Sequence, residues 1–394
     1  MTDPLVPGPA SSRAAALDSV ARSDRPWALA AILAFTLSLG ISPLALPLVA
    51  LASGYDAVAI GLLTASAAIS QFGFRLSLPW LLARYPDRML IAASCVLLSA
   101  SFAVLLVSTI PVVFVLAQLF LGGGRALFWT ASQTHAVRTP GSPVKMLAQV
   151  GALGNLGTMI GPLVTGVVAS RSVDIALGLG VGLGIVGLLL CLRLDRYPPY
   201  ERRSRRGETR MWLRPGVDVA CWSGFAAGGW RALTSSYVPV ILAGAGMAPG
   251  LIGLLLSLAD LASTIVIWTM SRLPVGRLRA ALDVSVIVMA VGLAALPFLA
   301  HDSLLAGIAL VASGGGAGPL TILGAAIART LVDPADEGEA LALVGTFRAG
   351  AMLVTPAAVA LALTFVTVGT GLVLAAVAIA IPGTVLTLHR RRPT

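Results

Sequence analysis

Residues Arg193 to Gly216 read RLDRYPPYERRSRRGETRMWLRPG, a polar stretch with eight arginines against Asp195, Glu201 and Glu208. It is the longest polar insert in a chain of 394 residues that is 57% hydrophobic and 11% charged, where a soluble domain carries roughly 25% charge. Six long apolar runs precede it, at 27–50, 57–83, 89–109, 111–134, 146–170 and 173–192. Six more follow, at 217–244, 249–270, 279–299, 303–328, 340–366 and 369–388. Each is about as long as the ~20 residues that carry a helix across a bilayer. Lipid supplies no hydrogen-bond partners, so the runs are expected to be helices, and the ~10-residue alternating segments of a membrane β-barrel are absent. The reading is an all-α integral membrane protein with twelve transmembrane helices in two pseudo-symmetric six-helix halves. Its expected parts are a tail at 1–26, a first half at 27–192, a linker at 193–216, a second half at 217–388 and a tail at 389–394.

The formal net charge is +10, which in a soluble protein would suggest nucleic acid. Position argues otherwise. Of 27 Lys and Arg residues, 22 fall in the tails, the linker and the loops on one side: the eight of the linker, Arg13, Arg22, Arg25, Arg84, Arg88, Arg138, Lys145, Arg272, Arg277, Arg279, Arg329 and Arg390 to Arg392. The loops on the other side hold Arg171 alone. Such a bias places both termini in the cytoplasm and the chain in the cell inner (plasma) membrane. The first run is too long for a signal-peptide core and lacks a small-residue cleavage site, so it is expected to stay as a span. The linker reads as a tether that touches anionic headgroups, and no nucleic-acid partner is expected. Cys95, Cys191 and Cys221 form no CxxC pair and are expected to pack in the core.

At an offset of 192 residues the halves repeat. Pro47 pairs with Pro239, Gly54 with Gly246, Ile60-Gly61-Leu62-Leu63 with Ile252-Gly253-Leu254-Leu255, and Gly122 to Gly124 with Gly314 to Gly316. At an offset of 188 and the same helix end, Arg84-Tyr85-Pro86 finds its counterpart in Arg272-Leu273-Pro274. A duplicated six-helix unit is a transporter layout with its site near the bilayer midplane.

Twelve spans, a basic central loop and this repeat resemble the major facilitator superfamily over nearly the whole chain. In span five, Gly157-Thr158-Met159-Ile160-Gly161-Pro162-Leu163-Val164-Thr165-Gly166 is similar to the GxxxGPxxGG signature of the drug/proton antiporter branch, with Thr165 in place of one glycine. Small residues four apart let helices approach closely, and Pro162 removes a backbone donor; generic tight packing is the competing reading. Gly157, Gly161, Pro162 and Gly166 are thus candidates for gating or helix packing. The loop from Pro79 to Arg88 resembles the superfamily's GxxxDRxGRR loop. Arg84 and Arg88 match, but Ala83 stands where the family has the Asp that helps to latch its conformational switch, and Pro79 and Pro86 stand where it has Gly. Gln118 occupies the place of the antiporters' span-four Arg, although Gly122 and Gly124 are present.

Five ionisable residues sit deep in apolar runs: Arg75, Arg125, Arg231, Asp260 and Arg348. Each costs about 2.5–3.5 kcal/mol on insertion scales unless paired or hydrated, so none should face lipid. Asp260 is the candidate for proton coupling, because burial favours the neutral acid, a neighbouring guanidinium favours the carboxylate, and an alternating cavity changes that balance. Arg231, in the preceding span at similar depth, is its expected partner, either as a switchable pair or as a permanent structural one. Four arginines against one aspartate favour an anionic ligand, since guanidinium forks bind carboxylate or phosphate. Arg231, Arg125, Arg348, Arg75, Asn155 and Trp230 are the candidate cavity residues, with Trp129 a further possibility; Arg75 and Arg348 could instead cap helices or close a gate. His135, His301 and His389 fall at span ends or loops, are too far apart to suggest a metal site, and are expected at the surface.

Lys145 is the one lysine and no GxxxxGK[ST] pattern surrounds it, so ATP is not the expected fuel. No GxSxG or HExxH is present, which argues against an enzyme. No cofactor and no metal are expected. What remains is a secondary carrier, expected to function as a monomer, whose expected partners are a small solute, anionic on the balance of intramembrane charge, a proton and the bilayer. Proton-coupled efflux of an amphiphilic or anionic compound follows from the span-five resemblance. Proton-linked uptake of an organic anion is the alternative, and a non-transporting receptor or assembly factor is the reading from another class.

Overall fold

The computed structural model describes residues 9–139, 142–199, 211–214, 216–270, 272–332 and 337–389; the arginine-rich middle of the linker and the two chain ends lie outside the described residues. Thirteen helices follow one another. They are α1 (Pro9–Ala52), α2 (Ala57–Arg84), α3 (Asp87–Val107), α4 (Pro111–Arg138), α5 (Pro143–Ala169), α6 (Val173–Cys191), α7 (Val217–Thr234), α8 (Tyr237–Gly244), α9 (Pro249–Met270), α10 (Leu278–Leu299), α11 (Ser303–Leu331), α12 (Glu337–Ala362) and α13 (Val368–His389). Ten of them are long and apolar enough to cross a membrane. The α7–α8 pair and α13 complete the expected twelve crossings.

The single span expected at 217–244 is broken between Thr234 and Tyr237. Pro239 has no N–H to offer the Ser235 carbonyl four residues back, and its ring crowds that carbonyl. The Ser235 and Ser236 hydroxyls instead donate to the Arg231 and Ala232 carbonyls at 2.8 and 2.7 Å. At the other end of the chain, α1 begins at Pro9 rather than near Trp27 and runs through Pro26, Pro43 and Pro47 without a break.

The crossings alternate, so the linker and the α2–α3 and α4–α5 turns share one face, here the basic face, and the loops at Gly54 and Gly246 share the far face. Large apolar side chains such as Leu76, Val112 and Phe298 point outward and are exposed, as a lipid-facing surface requires. Phe35 and Phe128 stack at 3.6 Å between ring centroids inside the first half. All three cysteines are buried, as expected of packing residues.

The sequence repeat is a repeat of contacts. Gly54 and Gly246 end α1 and α8 with φ of 83° and 85°, a backbone region open to glycine at no steric cost. A Cβ on Gly122 would overlap the Ala67 carbonyl, and one on Gly314 the Ala259 carbonyl, 192 residues further on. The halves meet along two seams, α2 against α12 and α5 against α9. In one, Gly61 lies against the Pro356 carbonyl; in the other, Gly253 lies against the Pro162 carbonyl. Both close contacts are on the far-face side. There Tyr237 is fully buried beneath Gly61 and donates from its hydroxyl to the Pro356 carbonyl at 2.9 Å.

Adding one methyl at a backbone contact of this kind costs about 1–3 kcal/mol, because backbone atoms cannot move aside as a flexible side chain would. Gly314→Ala should therefore lower the thermal midpoint of the purified protein by several degrees. Gly182→Ala, where nothing lies within 4 Å of the added carbon, should leave it nearly unchanged. Equal midpoints for the two variants would contradict the packing described.

Candidate functional site

Arg231, in the last turn of α7, reaches Asp260 at the middle of α9: its Nη1 donates to Oδ2 at 3.1 Å. The two side chains are 24% and 9% exposed, so the pair is neither dry nor free in solvent. The Arg231 Cζ lies 5.4 Å from the centroid of the Trp230 ring, and the indole Nε1 of Trp230 donates to Ser313 Oγ at 3.2 Å. Trp230 is thus pinned to α11 and gives the guanidinium a fixed aromatic neighbour.

The pair opens into a cavity of about 200 Å³ between the halves, also lined by Asn155, Thr158, Trp230, Ser263, Thr264, Thr321 and Arg348. Asn155 and Thr158 of α5 face Asp260, Ser263 and Thr264 of α9 across it. These helices touch at their far-face ends, where Gly166 lies against Pro249 and Gly250, and leave the cavity on the basic side of that contact. Arg348 feels the charges of Arg231 and Arg75. Among the described residues it makes no ion pair.

Arg125 lies in a neighbouring cavity of about 30 Å³ with Ser42, Thr64, Gln71, Gln118 and Ser235 among its walls. A third, of about 10 Å³, has Pro43 in common with that one and Trp230, Arg231 and Asp260 in common with the large one. Arg125 is within electrostatic range of both Arg231 and Arg348. Of the residues expected in a central chamber, Asp260, Arg231, Arg348, Asn155 and Trp230 share one cavity, and Arg125 stands beside it. Arg75 does not: it lines none of the three. It lies on the α2–α12 seam, where Gly345 leaves room for its Nη1, and its Nε is buried without a hydrogen-bond partner. The small side chain on α12 draws this guanidinium into the seam. Trp129 also departs from the cavity, packing on Gly154 and edge-on to Phe128.

The span-five glycines divide into two groups. Gly157 and Gly161 lie against Thr36 and Gly40 of α1 within the first half, whereas Pro162 and Gly166 meet α9 across the seam. Arg84 rests over the Trp80 ring at 5.8 Å, and Arg88 Nη1 donates to the Leu194 carbonyl at 2.9 Å.

His135 is not at the surface. It is 2% exposed, with Nε2 at 3.0 Å from Asp24 Oδ2 and Nδ1 at 3.9 Å from Asp87 Oδ2. Arg138 Nη1 bonds Asp87 Oδ1 at 3.1 Å and the Pro198 carbonyl at 2.6 Å. Apolar neighbours inside α1 and at the ends of α3 and α4 cannot hydrate these carboxylates, so the imidazole is drawn between them. The spacing of one histidine and two acids across 111 residues gave no local signal. Just past α6, burial and then the charge of Asp24 raise the Asp195 carboxyl above the ordinary carboxylate range. His301 is exposed, and the side chain of His389 lies outside the described residues. The polar wall residues Gln71, Ser263, Thr264 and Thr321 also escaped sequence reading, although an amide such as Gln71 inside an apolar run was a visible signal.

The sequence profile of the Major Facilitator Superfamily matches residues 27–356. The chain belongs to that superfamily. Solved transporters share its fold. The nucleoside transporter NupG superimposes with a TM-score of 0.73 at 13% identity over 96% of this chain and 100% of its own. A bacterial homologue of the human lysosomal transporter Spinster, in an inward-facing and unoccupied conformation, gives 0.70 at 13% identity over 94% and 96%. A POT family transporter in complex with a thioalcohol-conjugated peptide gives 0.71 at 11% over 93% and 96%. No curated protein sequence matches the chain significantly. The superfamily assignment makes this a multi-pass membrane transporter that handles a small-molecule solute.

Removing one member of a dry buried ion pair costs about 3–5 kcal/mol. In this superfamily chain the pair faces an open chamber, so Arg231→Ala should cost less than that. Asp260→Asn introduced into the same chain should recover part of the loss. A double-mutant cycle on the thermal midpoint measures this coupling, and strictly additive losses would show that the two residues do not interact.

Proposed function

We propose that the protein is a secondary active carrier that moves a small organic anion together with a proton by alternating access. The observation that carries this reading is that the Arg231–Asp260 pair opens into the same cavity as Arg348, a guanidinium with no ion-pair partner among the described residues. An entering carboxylate would find Arg348 free and would compete with Asp260 for Arg231. A carboxylate that loses its cation in a poorly hydrated cavity is neutralised by a proton. Anion and proton then load together, and when the anion leaves, the pair re-forms and expels the proton. Alternation would close the basic side and open the far-face seams at Gly61 and Gly253. The one-sided distribution of Arg supports cytoplasmic termini and insertion in the cell inner membrane, and one chain with both halves suffices as a monomer.

Proton-coupled efflux is the second reading. It rests on the span-five motif, of which Pro162 and Gly166 lie at the seam between halves that efflux or uptake would have to open.

A thermal-shift screen of organic acids at two pH values should identify a binder, since ligands of the folded state raise its midpoint by mass action. With that binder, right-side-out vesicles in acidic medium should accumulate the anion, and everted vesicles with an acid lumen should not. The reverse result would establish efflux. In proteoliposomes Asp260→Asn should reduce accumulation driven by a pH gradient at least about tenfold while downhill counterflow persists. Full accumulation by that variant would remove Asp260 from coupling. A folded variant with every cellular phenotype intact would favour a receptor or assembly role.

A further inference from the structure

Beside the large cavity, Gln71 of α2 and Gln118 of α4 are only 5% and 3% exposed, and both line the small cavity together with Arg125. Neither amide, nor the Arg125 guanidinium, has a side-chain hydrogen bond or ion pair among the described residues. All three side chains therefore present hydrogen-bonding groups to one small space. The arrangement is held in register by its neighbours. Ser70 Oγ donates to the Leu119 carbonyl at 2.7 Å, tying the residue before Gln71 to the residue after Gln118. One turn away on each helix, Gly122 lets α4 rest directly on the Ala67 carbonyl of α2.

The contents of this space are constrained by charge and by size. Arg125 is a cation, and no carboxylate lines the small cavity with it. A second acidic group there would balance its charge, accepting from the guanidinium and from the amide N–H groups of Gln71 and Gln118. The space is about 30 Å³, room for a group about the size of a carboxylate. The 10 Å³ cavity shares Pro43 with this space and Trp230, Arg231 and Asp260 with the 200 Å³ cavity, so the rest of the molecule would extend towards Arg231 and Arg348. Arg125, Gln71 and Gln118 belong to the first half, and Arg231 and Arg348 to the second.

The geometry points to a two-headed substrate: an organic diacid with one acidic end at Arg231 and Arg348 and the other in a subsite made by Arg125, Gln71 and Gln118, so that it bridges the two halves. This rests on the proposal of an anionic solute and makes it narrower.

The test compares acids of one and two heads on the full-length purified protein, by thermal shift and by calorimetry. The probes are butyrate, inorganic phosphate, succinate, glutarate and adipate, together with succinamate, in which one carboxylate of succinate is a carboxamide. At least one diacid should bind about tenfold more tightly than butyrate, phosphate and succinamate, as a charge-assisted contact to a second head requires. In Arg125→Gln and in Gln118→Leu the ratio of diacid to monoacid affinity should fall towards one. Arg348→Gln should weaken both acids and keep the ratio. The ratio is read only where a cooperative thermal transition shows a folded protein, and Gln118→Leu, which removes no charge, serves if Arg125→Gln does not fold. Equal binding of butyrate and every diacid, or of succinamate and succinate, overturns the diacid subsite while leaving an anion carrier standing. Tight binding of phosphate alone overturns it also, in favour of a single-headed dianion. If no acid binds and a cationic or neutral solute does, the anion reading itself fails.

Discussion

A charge in hydrocarbon must find water or a partner, and most of the polar architecture of this protein follows from that constraint. Insertion of an arginine or aspartate at bilayer depth costs several kcal/mol when it faces lipid. Arg125, Arg231, Asp260 and Arg348 accordingly converge on the space between the halves, where Arg231 and Asp260 pair beside the Trp230 indole and the other two line polar cavities. Arg75 avoids lipid differently, by entering a seam opened by Gly345. At the basic face, Asp24, Asp87, His135 and Arg138 form a network that ties α1, α3 and α4 together.

The chamber could not exist without close contact elsewhere. Between helices in lipid the hydrophobic effect does little, and association depends on van der Waals contact at small residues. Gly61, Gly253, Gly122 and Gly314 bring backbones together, and they do so in pairs related by the internal duplication. Contact concentrated at the far face leaves α5 and α9 to line a cavity nearer the basic face. Glycine placement thus decides where the protein is solid and where it is hollow.

Much of this was legible from residue order. Twelve apolar lengths and the offset of 192 depend on one-dimensional periodicity, which survives without coordinates. The Arg231–Asp260 pair was legible because each is a rare charge at similar depth in neighbouring spans. Other features required three dimensions. The break at Ser235 and Ser236 was concealed because hydroxyls and Pro239 sit within a run apolar enough to cross the bilayer unbroken. His135 was misplaced because its partners come from α1 and α3, far away in sequence. Arg75 looked like any other intramembrane cation until the small residue opposite it on α12 was known. Gln71 and Gln118 belong to the same class: their significance lies in the cavity wall they share with Arg125, and that proximity has no signature in a string of letters.

The two seams have a mechanical corollary. Gly61 beneath the Pro356 carbonyl and Gly253 beneath the Pro162 carbonyl are copies of one latch, placed on either side of the pseudo-twofold axis. If the halves rock apart symmetrically as rigid blocks, both latches are released in the same motion. The exterior entrance then behaves like a double door with a common bolt, shut or open as a unit, and a leak through a half-open doorway is disfavoured by symmetry alone.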